Sequence, residues 1–407
     1  MRLLHTSDWH IGVAHHGLDR TADHDKVFAQ IKALAIEEKV DVILNTGDLF
    51  DNAYPSVETL KYGWSVLEEM ASVAPIVVVC GNHDSEKLFQ LMGMILKNRL
   101  PIYLVDRSTL QQREAGVLHL PTVDNEILKI AAVPFVKSSS YIASYIQENP
   151  DRATATYADK VGSLEHLVGE WLNANYDPNH DVRVFAAHLL VDGAEVSGSE
   201  YQLYVENDFV TRPDRIPSAD YVAFGHIHKP QQIGKLEYGR YAGSPIPIDF
   251  GERGDKKVVY VVSGKPGRPV RVEERTLDIG RRLVDISGTL EEIEARRNEY
   301  AGTFARVVVD LKEPVAQLES RVGEILLKTH ICKVTARYPR PEGALAVAGE
   351  LGRPEPTINE LFETYAREHP NLGESERVVR YFNELYGQVR HGDEAEDVFA
   401  DLDEVQQ

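Results

Sequence analysis

Cysteine is scarce in this chain: there are two among 407 residues, Cys80 and Cys332. So low a count excludes a disulfide framework and fits a reducing compartment, so the cytoplasm is the expected location. Long hydrophobic runs are missing as well. No apolar stretch approaches the roughly 18 residues that a membrane span needs. The opening Met1-Arg2-Leu3-Leu4-His5-Thr6-Ser7-Asp8 lacks the apolar core and small-residue cleavage site of a signal peptide. No membrane association is expected. Positive charge is in deficit, with 44 Lys and Arg against 64 Asp and Glu and a net charge of −20. There is no internal repeat and no long low-complexity segment.

The charge deficit is unevenly spread. Residues 340–407 hold 16 Asp/Glu against 6 Lys/Arg, so half of the surplus lies in the last sixth of the chain. The stretch 253–282 runs the other way, with nine Lys/Arg against four Asp/Glu. It reads either as a solvated hairpin with basic outer faces or as a phosphate-tracking patch. A carboxylate-rich metal site also lowers the formal charge, because its cations are not counted. Acidity therefore does not exclude a nucleic-acid substrate.

The chain is 43% apolar and 27% charged, an ordinary globular balance, and long enough for two or three domains. In the first half, apolar runs alternate with helical periodicity. Leu3-Leu4-His5 leads to a helix near 23–37, Val40–Leu44 to one near 56–71, and Pro75–Val79 to one opening at Ser85. Further strands are expected at 182–187, 221–224, 241–242 and 257–262. This predicts an α/β fold of sheets flanked by helices. From Arg281 the pattern restarts as βαβαβ: strands at 283–286, 305–311 and 331–338, helices at 290–300 and 316–329. Beyond Pro339-Arg340-Pro341 two amphipathic helices are expected. One carries the capping box Thr357-Ile358-Asn359-Glu360, the other Val378, Phe382, Leu385 and Tyr386, with an acidic tail from Gly392.

Five polar motifs follow apolar, strand-like runs: Asp8-Trp9-His10, Gly47-Asp48-Leu49-Phe50-Asp51, Gly81-Asn82-His83-Asp84, His188 after Phe185-Ala186-Ala187, and Gly225-His226-Ile227-His228. The carboxyl ends of strands share one edge of an α/β sheet, so residues far apart in sequence converge there. Asp8, His10, Asp48, Asn82, His188, His226 and His228 offer carboxylate, amide and imidazole groups and no thiolate. That set suits Mn, Fe or Zn better than Mg or Ca. Two such ions can clamp a phosphodiester, and Asp48, central in the set, is the natural bridge. Each piece alone has a plainer reading: Asp-x-His as a solvated loop, His188 as a core histidine, Gly-Asp and Gly-Asn-His-Asp as turns. In this order, each at a strand end, coincidence is a poor explanation. The remaining ten of the 15 histidines read as structural or solvated.

The five motifs, in this order, resemble the calcineurin-like metallophosphoesterase superfamily. Within it, Leu4–Gly12, Arg20-Thr21-Ala22-Asp23-His24 and Tyr241-Ala242-Gly243-Ser244-Pro245 through Glu252 are similar to the bacterial SbcD nucleases. The resemblance implies a layered β-sandwich flanked by helices at 1–280, a small α/β capping domain for DNA recognition at 281–340, and C-terminal partner-binding helices with an acidic tail at 341–407. It implies two divalent transition metal ions, Mn²⁺ foremost: one held by Asp8, His10, Asp48 and His228, the other by Asp48, Asn82, His188 and His226. His83 would protonate the leaving oxygen and Asp84 would orient it, with helix capping as the plainer reading of Asp84. Asp51 occupies a position where archaeal relatives carry histidine.

The activity implied is a 3′–5′ double-strand exonuclease and a single-strand and hairpin endonuclease, acting in double-strand-break repair. The partners implied are DNA, an SbcC-type coiled-coil ATPase in a heterotetramer, and a second copy of the chain. A protein phosphatase of the same superfamily would carry arginine at Asn52 and glutamate at Asp84. A phosphodiesterase for a small nucleotide or phosphoester is the alternative, and it leaves the cap and the C-terminal helices unexplained. A metal-bearing scaffold without activity would predict a damaged motif, and all the expected ligands are present.

Overall fold

A computed structural model describes residues 1–15, 17–96, 99–110, 116–135, 157–196 and 210–338, together with Phe362, Val379, Phe382 and Asn383. Two compact units divide the chain, Met1–Val309 with Gln317–Thr335, and Asp310–Ala316 with Ala336–Gln407.

The larger unit is built on two six-stranded mixed sheets. In the first, Arg2–Thr6, Val42–Asn45, Ile76–Val79 and Ile102–Val105 run parallel; Val258–Ser263 adds antiparallel beside Arg2–Thr6, and Arg271–Thr276 pairs antiparallel with Val258–Ser263 at the edge. In the second, Ile127–Val133, Asp181–His188, Tyr221–Gly225 and Gly239–Tyr241 run parallel, with antiparallel Val117–Pro121 and Gln231–Gln232 at the edges.

Period-two alternation decides the layering, because successive strand residues point to opposite faces. Leu3, Val42, Leu44, Val77 and Val79 turn to a core shared with Leu128, Ile130, Val182, Val184 and Ala223 of the second sheet. Their neighbours Leu4, Ile43, Ile76 and Val78 face the helices Thr21–Glu37, Val57–Ala71 and Glu86–Leu96. Ala131, Val133, Phe185, Ala187 and Phe224 back onto the helix Tyr157–Asn173. Strands buried on both faces read as unbroken apolar runs, and the result is a helix–sheet–sheet–helix sandwich, the layered α/β fold expected. Among the described residues no helix is long and apolar enough to cross a membrane.

The 253–282 stretch is a hairpin largely compensated within the chain. Arg253, Lys256, Lys257, Arg271, Arg275 and Arg281 each pair with a carboxylate: Asp285, Glu274, Glu252, Glu273, Glu38 and Asp23. That favours the solvated-hairpin reading over a phosphate track.

The βαβαβ pattern yields a three-stranded sheet of Leu283–Gly288, Phe304–Asp310 and His330–Arg337. Its helices are shorter than the periodicity suggests: Leu290–Ala295 passes into a 3₁₀ turn at Arg297–Tyr300, and the second spans Leu318–Ile325. The guanidinium groups of Arg20 and Arg281 lie over the Phe304 ring, 4.8 and 4.5 Å from its centre, and both arginines contact Asp23. In the smaller unit Asp310 pairs with Arg337, and the rings of Phe362 and Phe382 stack 3.8 Å apart. The two expected C-terminal amphipathic helices otherwise lie outside the described residues.

Candidate metal centre

All five motifs sit at the carboxyl ends of strands. Asp8 and His10 follow Arg2–Thr6, Asp48 follows Val42–Asn45, and Asn82 follows Ile76–Val79; these three strands are parallel neighbours. His188 ends Asp181–His188, and His226 and His228 follow Tyr221–Gly225, its parallel partner. The shared direction brings seven residues, spread over 221 positions of sequence, to one edge, each at most 5% exposed.

The backbone pays a conformational cost to aim them. Asp8, His10, Asp48 and His226 have φ of 49°, 44°, 48° and 92°. For residues other than glycine this costs on the order of 1–3 kcal/mol each, and it persists where the surroundings enforce it. Here they do: Asp8 N–H donates to Gly47 O, His10 N–H to Asp48 O, and His226 N–H to Asp8 Oδ1, each at 3.0 Å. Two glycines leave room for ligands. A Cβ on Gly47 would lie 1.9 Å from His188 Nδ1, and one on Gly81 2.1 Å from Asp48 Oδ1.

Two groups of donor atoms share Asp48. One atom each from Asp8, His10, Asp48 and His228 lie within 4.8 Å of one another. On the other side, Asn82 Oδ1 is 2.8 Å from His188 Nε2 and 2.9 Å from His226 Nδ1, and His188 Nε2 is 3.3 Å from Asp48 Oδ2. Asp48 Oδ2 is also 3.6 Å from His10 Nε2. The residues present fit a pair of cations. Asp8 Oδ2 and His226 Nε2 are buried without a hydrogen-bond partner, which is costly unless something else is bound there. His10 Nε2 and His228 Nε2 face each other at 3.1 Å, and two lone pairs repel unless a proton or cation lies between them. The ligand set contains no Lys or Arg to balance its two carboxylates.

Electrostatics follow from the crowding. Burial alone would raise the Asp48 carboxyl, but the imidazoles of His188 and His83 outweigh it and hold it well below the usual range. Burial likewise works downward on His188, yet Asp48 and Asp8 carry it up to about 9. Burial depresses His226 strongly and takes His83 down to about 4.

The Gly81–Asp84 turn is tied to the Asp48 turn through its last residue. The Asp84 carboxylate accepts the main-chain N–H groups of Leu49, Phe50 and Gly81 at 2.9–3.1 Å. It therefore clamps the Asp48 turn to the Asn82 turn. Burial and the neighbouring Asp48 charge push its pKa up to about 7. Asp51 also packs on His83: its carbonyl oxygen is 2.7 Å from His83 Nδ1 and its carboxylate is 3.3 Å from His10 Nδ1. Of the histidines set aside as structural, His5 lies buried between Tyr221 Oη and Thr46 Oγ1.

A helix–sheet–sheet–helix sandwich with a histidine–carboxylate cluster at its shared strand ends defines a metal-dependent phosphoesterase. The chain belongs to the calcineurin-like phosphoesterase family, whose model matches residues 1–230. Beyond the family, it is similar to curated proteins named as the SbcD component of the nuclease SbcCD. It is 27% identical to that of Escherichia coli K12 over 309 residues, 74% of each chain. It is 28% identical to that of Bacillus subtilis 168, covering 81% of this chain and 83% of that one. For Rhodobacter capsulatus the identity is 29%, over 86% and 90%.

Proposed function

We propose that this chain is the nuclease subunit of an SbcCD-type complex, hydrolysing phosphodiester bonds of DNA ends and hairpins at a dinuclear metal centre. The observation that carries the reading is the convergence of two ligand groups on the single carboxylate of Asp48. Asp8, His10, Asp48 and His228 would hold one ion, and Asp48, Asn82, His188 and His226 the other; the donor chemistry suits Mn²⁺. When bound, the ions would supply charge to neutralise the phosphate and to acidify an attacking water.

The chain's own residues do the rest. The Asp51 carbonyl can only accept, so His83 carries its proton on Nδ1 there and presents Nε2 to the substrate. A phosphate brought beside this buried imidazole favours its charged form, from which Nε2 can protonate the leaving oxygen. Asp84 fixes the separation of the two turns that carry Asp48 and Asn82.

We assign 281–340 to capping and DNA recognition and 341–407 to docking on the coiled-coil ATPase, in a heterotetramer with two copies of this chain in the cytoplasm. The similarity to the SbcD proteins extends beyond the phosphoesterase domain, which supports this over a small-phosphoester enzyme. The test is end-labelled duplex DNA incubated with chelated protein, with and without added Mn²⁺. Release of label only with the metal is expected. Full activity after exhaustive chelation, or cleavage of small phosphodiesters with none of DNA, would overturn the proposal.

A further inference from the structure

The segment from Tyr241 to Glu252 holds none of the proposed ligands, yet it closes directly on one. Glu252 ends a 3₁₀ turn, Phe250–Glu252, whose N-terminal Asp249 accepts from Gly251 N–H. It is fully buried, and its Oε1 lies 3.0 Å from His228 Nδ1. Its other oxygen accepts from Ser244 Oγ at 3.1 Å, Ile248 N–H at 3.2 Å and Lys257 Nζ at 2.5 Å. Lys257, buried as deeply, also donates to His228 O at 3.0 Å and Ser244 Oγ at 2.9 Å, so its three donors are all engaged. Gly243, with φ of 72°, allows the segment to approach: a Cβ there would lie 2.5 Å from His228 O.

A fully buried Glu–Lys pair is costly to desolvate and is weak evidence for stability. This one is assembled behind a single imidazole and grips both its ring and its carbonyl. A carboxylate only accepts, so Nδ1 must carry the proton and Nε2 the lone pair. That Nε2 is the atom turned to His10 across the metal centre.

We propose that Glu252, held by Lys257 and Ser244, is a positioning residue of the metal centre that fixes the His228 tautomer and aims its Nε2 at one ion. The proposal rests on the dinuclear reading above. Glu252→Gln alone would leave the Lys257 charge buried without a counter-charge, so the variant to measure is the double one, Glu252→Gln with Lys257→Met.

Long-range ¹H–¹⁵N correlation spectra of the metal-free wild-type protein, with His228 assigned by its loss in His228→Gln, read the tautomer directly. An Nδ1–H ring is expected, and an Nε2–H ring would overturn the role whether or not the double variant folds. Calorimetric titration with Mn²⁺ should show two sites in the wild type. In the folded double variant one site should weaken by about 10–100-fold, the usual cost of losing such a partner, while the other holds. Unchanged affinity at both sites, or equal loss at both, would contradict the assignment to His228. A wild-type protein that takes up no ion would sink the metal centre itself, and this role with it.

Discussion

His83 and Asp51 are joined through the main chain: the ring Nδ1 lies 2.7 Å from the Asp51 carbonyl oxygen, while the Asp51 carboxylate lies 3.3 Å from His10 Nδ1. One residue thus braces a proposed ligand with its side chain and the proposed proton donor with its backbone. This bracing leaves His83 outside both ligand groups.

Substitution of His83 should therefore separate binding from chemistry. His83→Ala is expected to bind metal as the wild type does and to lose turnover by roughly 10²–10⁴-fold, the range for one positioned acid. Steady-state cleavage of a labelled duplex measures the loss. Wild-type turnover would remove His83 from the mechanism.

The close approach at Gly47 predicts a steric effect. An added methyl would lie 1.9 Å from His188 Nδ1, at a φ of 126° that other residues rarely adopt. Gly47→Ala should destabilise the fold by about 1–3 kcal/mol or more, the usual cost of overpacking, and weaken metal binding. Thermal denaturation with and without Mn²⁺ reads both effects. An unshifted midpoint would mean that the strand ends are more widely spaced than described.

A pH dependence follows from Glu165, buried on the helix Tyr157–Asn173 and hydrogen-bonded to Thr211 Oγ1 at 2.6 Å. Burial pushes its pKa from 4.5 up to about 7. Between those values the folded state keeps a proton that the unfolded state has released, so stability falls as pH rises. It is full below about 4.5 and lower by on the order of 3 kcal/mol above about 7. Glu165→Gln cannot ionise and should escape this loss. Its melting temperature relative to the wild type should rise from pH 5 to pH 8, and a constant difference would refute the shift.

The C-terminal region carries a prediction from its sequence pattern. Apolar stripes in an acidic segment are costly to leave in water, and the stacked Phe362 and Phe382 rings belong to those stripes. Truncation after Arg340 should keep Mn²⁺-dependent cleavage of short substrates and lose association with the coiled-coil ATPase, read by size-exclusion chromatography. Continued co-elution would contradict the docking role. Unfolding would assign the segment to the fold instead.

The strand ends were legible because their apolar runs lie between two buried faces and break abruptly into polar residues. The strand Ile127–Val133 was not, since Lys129 interrupts its run. That lysine is 3% exposed and is satisfied by Asp181 at 2.8 Å and by the carbonyls of Asn175 and Ala174 at 2.8 and 3.3 Å. The helix Tyr157–Asn173 has a weak sequence signal for another reason. Gly162 and Gly169 weaken its pattern, and only the fold shows them making room for Arg215 and Pro217. The main-chain contacts of Asp84 with Leu49 and Phe50 cross 34–35 positions of sequence, and the turn's own residues give no sign of them. Glu252 lies 24 positions from His228, and local pattern carries no signal for that pairing.

The most direct test of a shared carboxylate is metal content per chain after gel filtration with Mn²⁺, measured by elemental analysis on wild type, His83→Ala and Asp48→Ala. Two ions, two ions, and loss at both sites are the predicted results. Equal metal loss in the two variants, or a single site lost in Asp48→Ala, would contradict a centre bridged by Asp48.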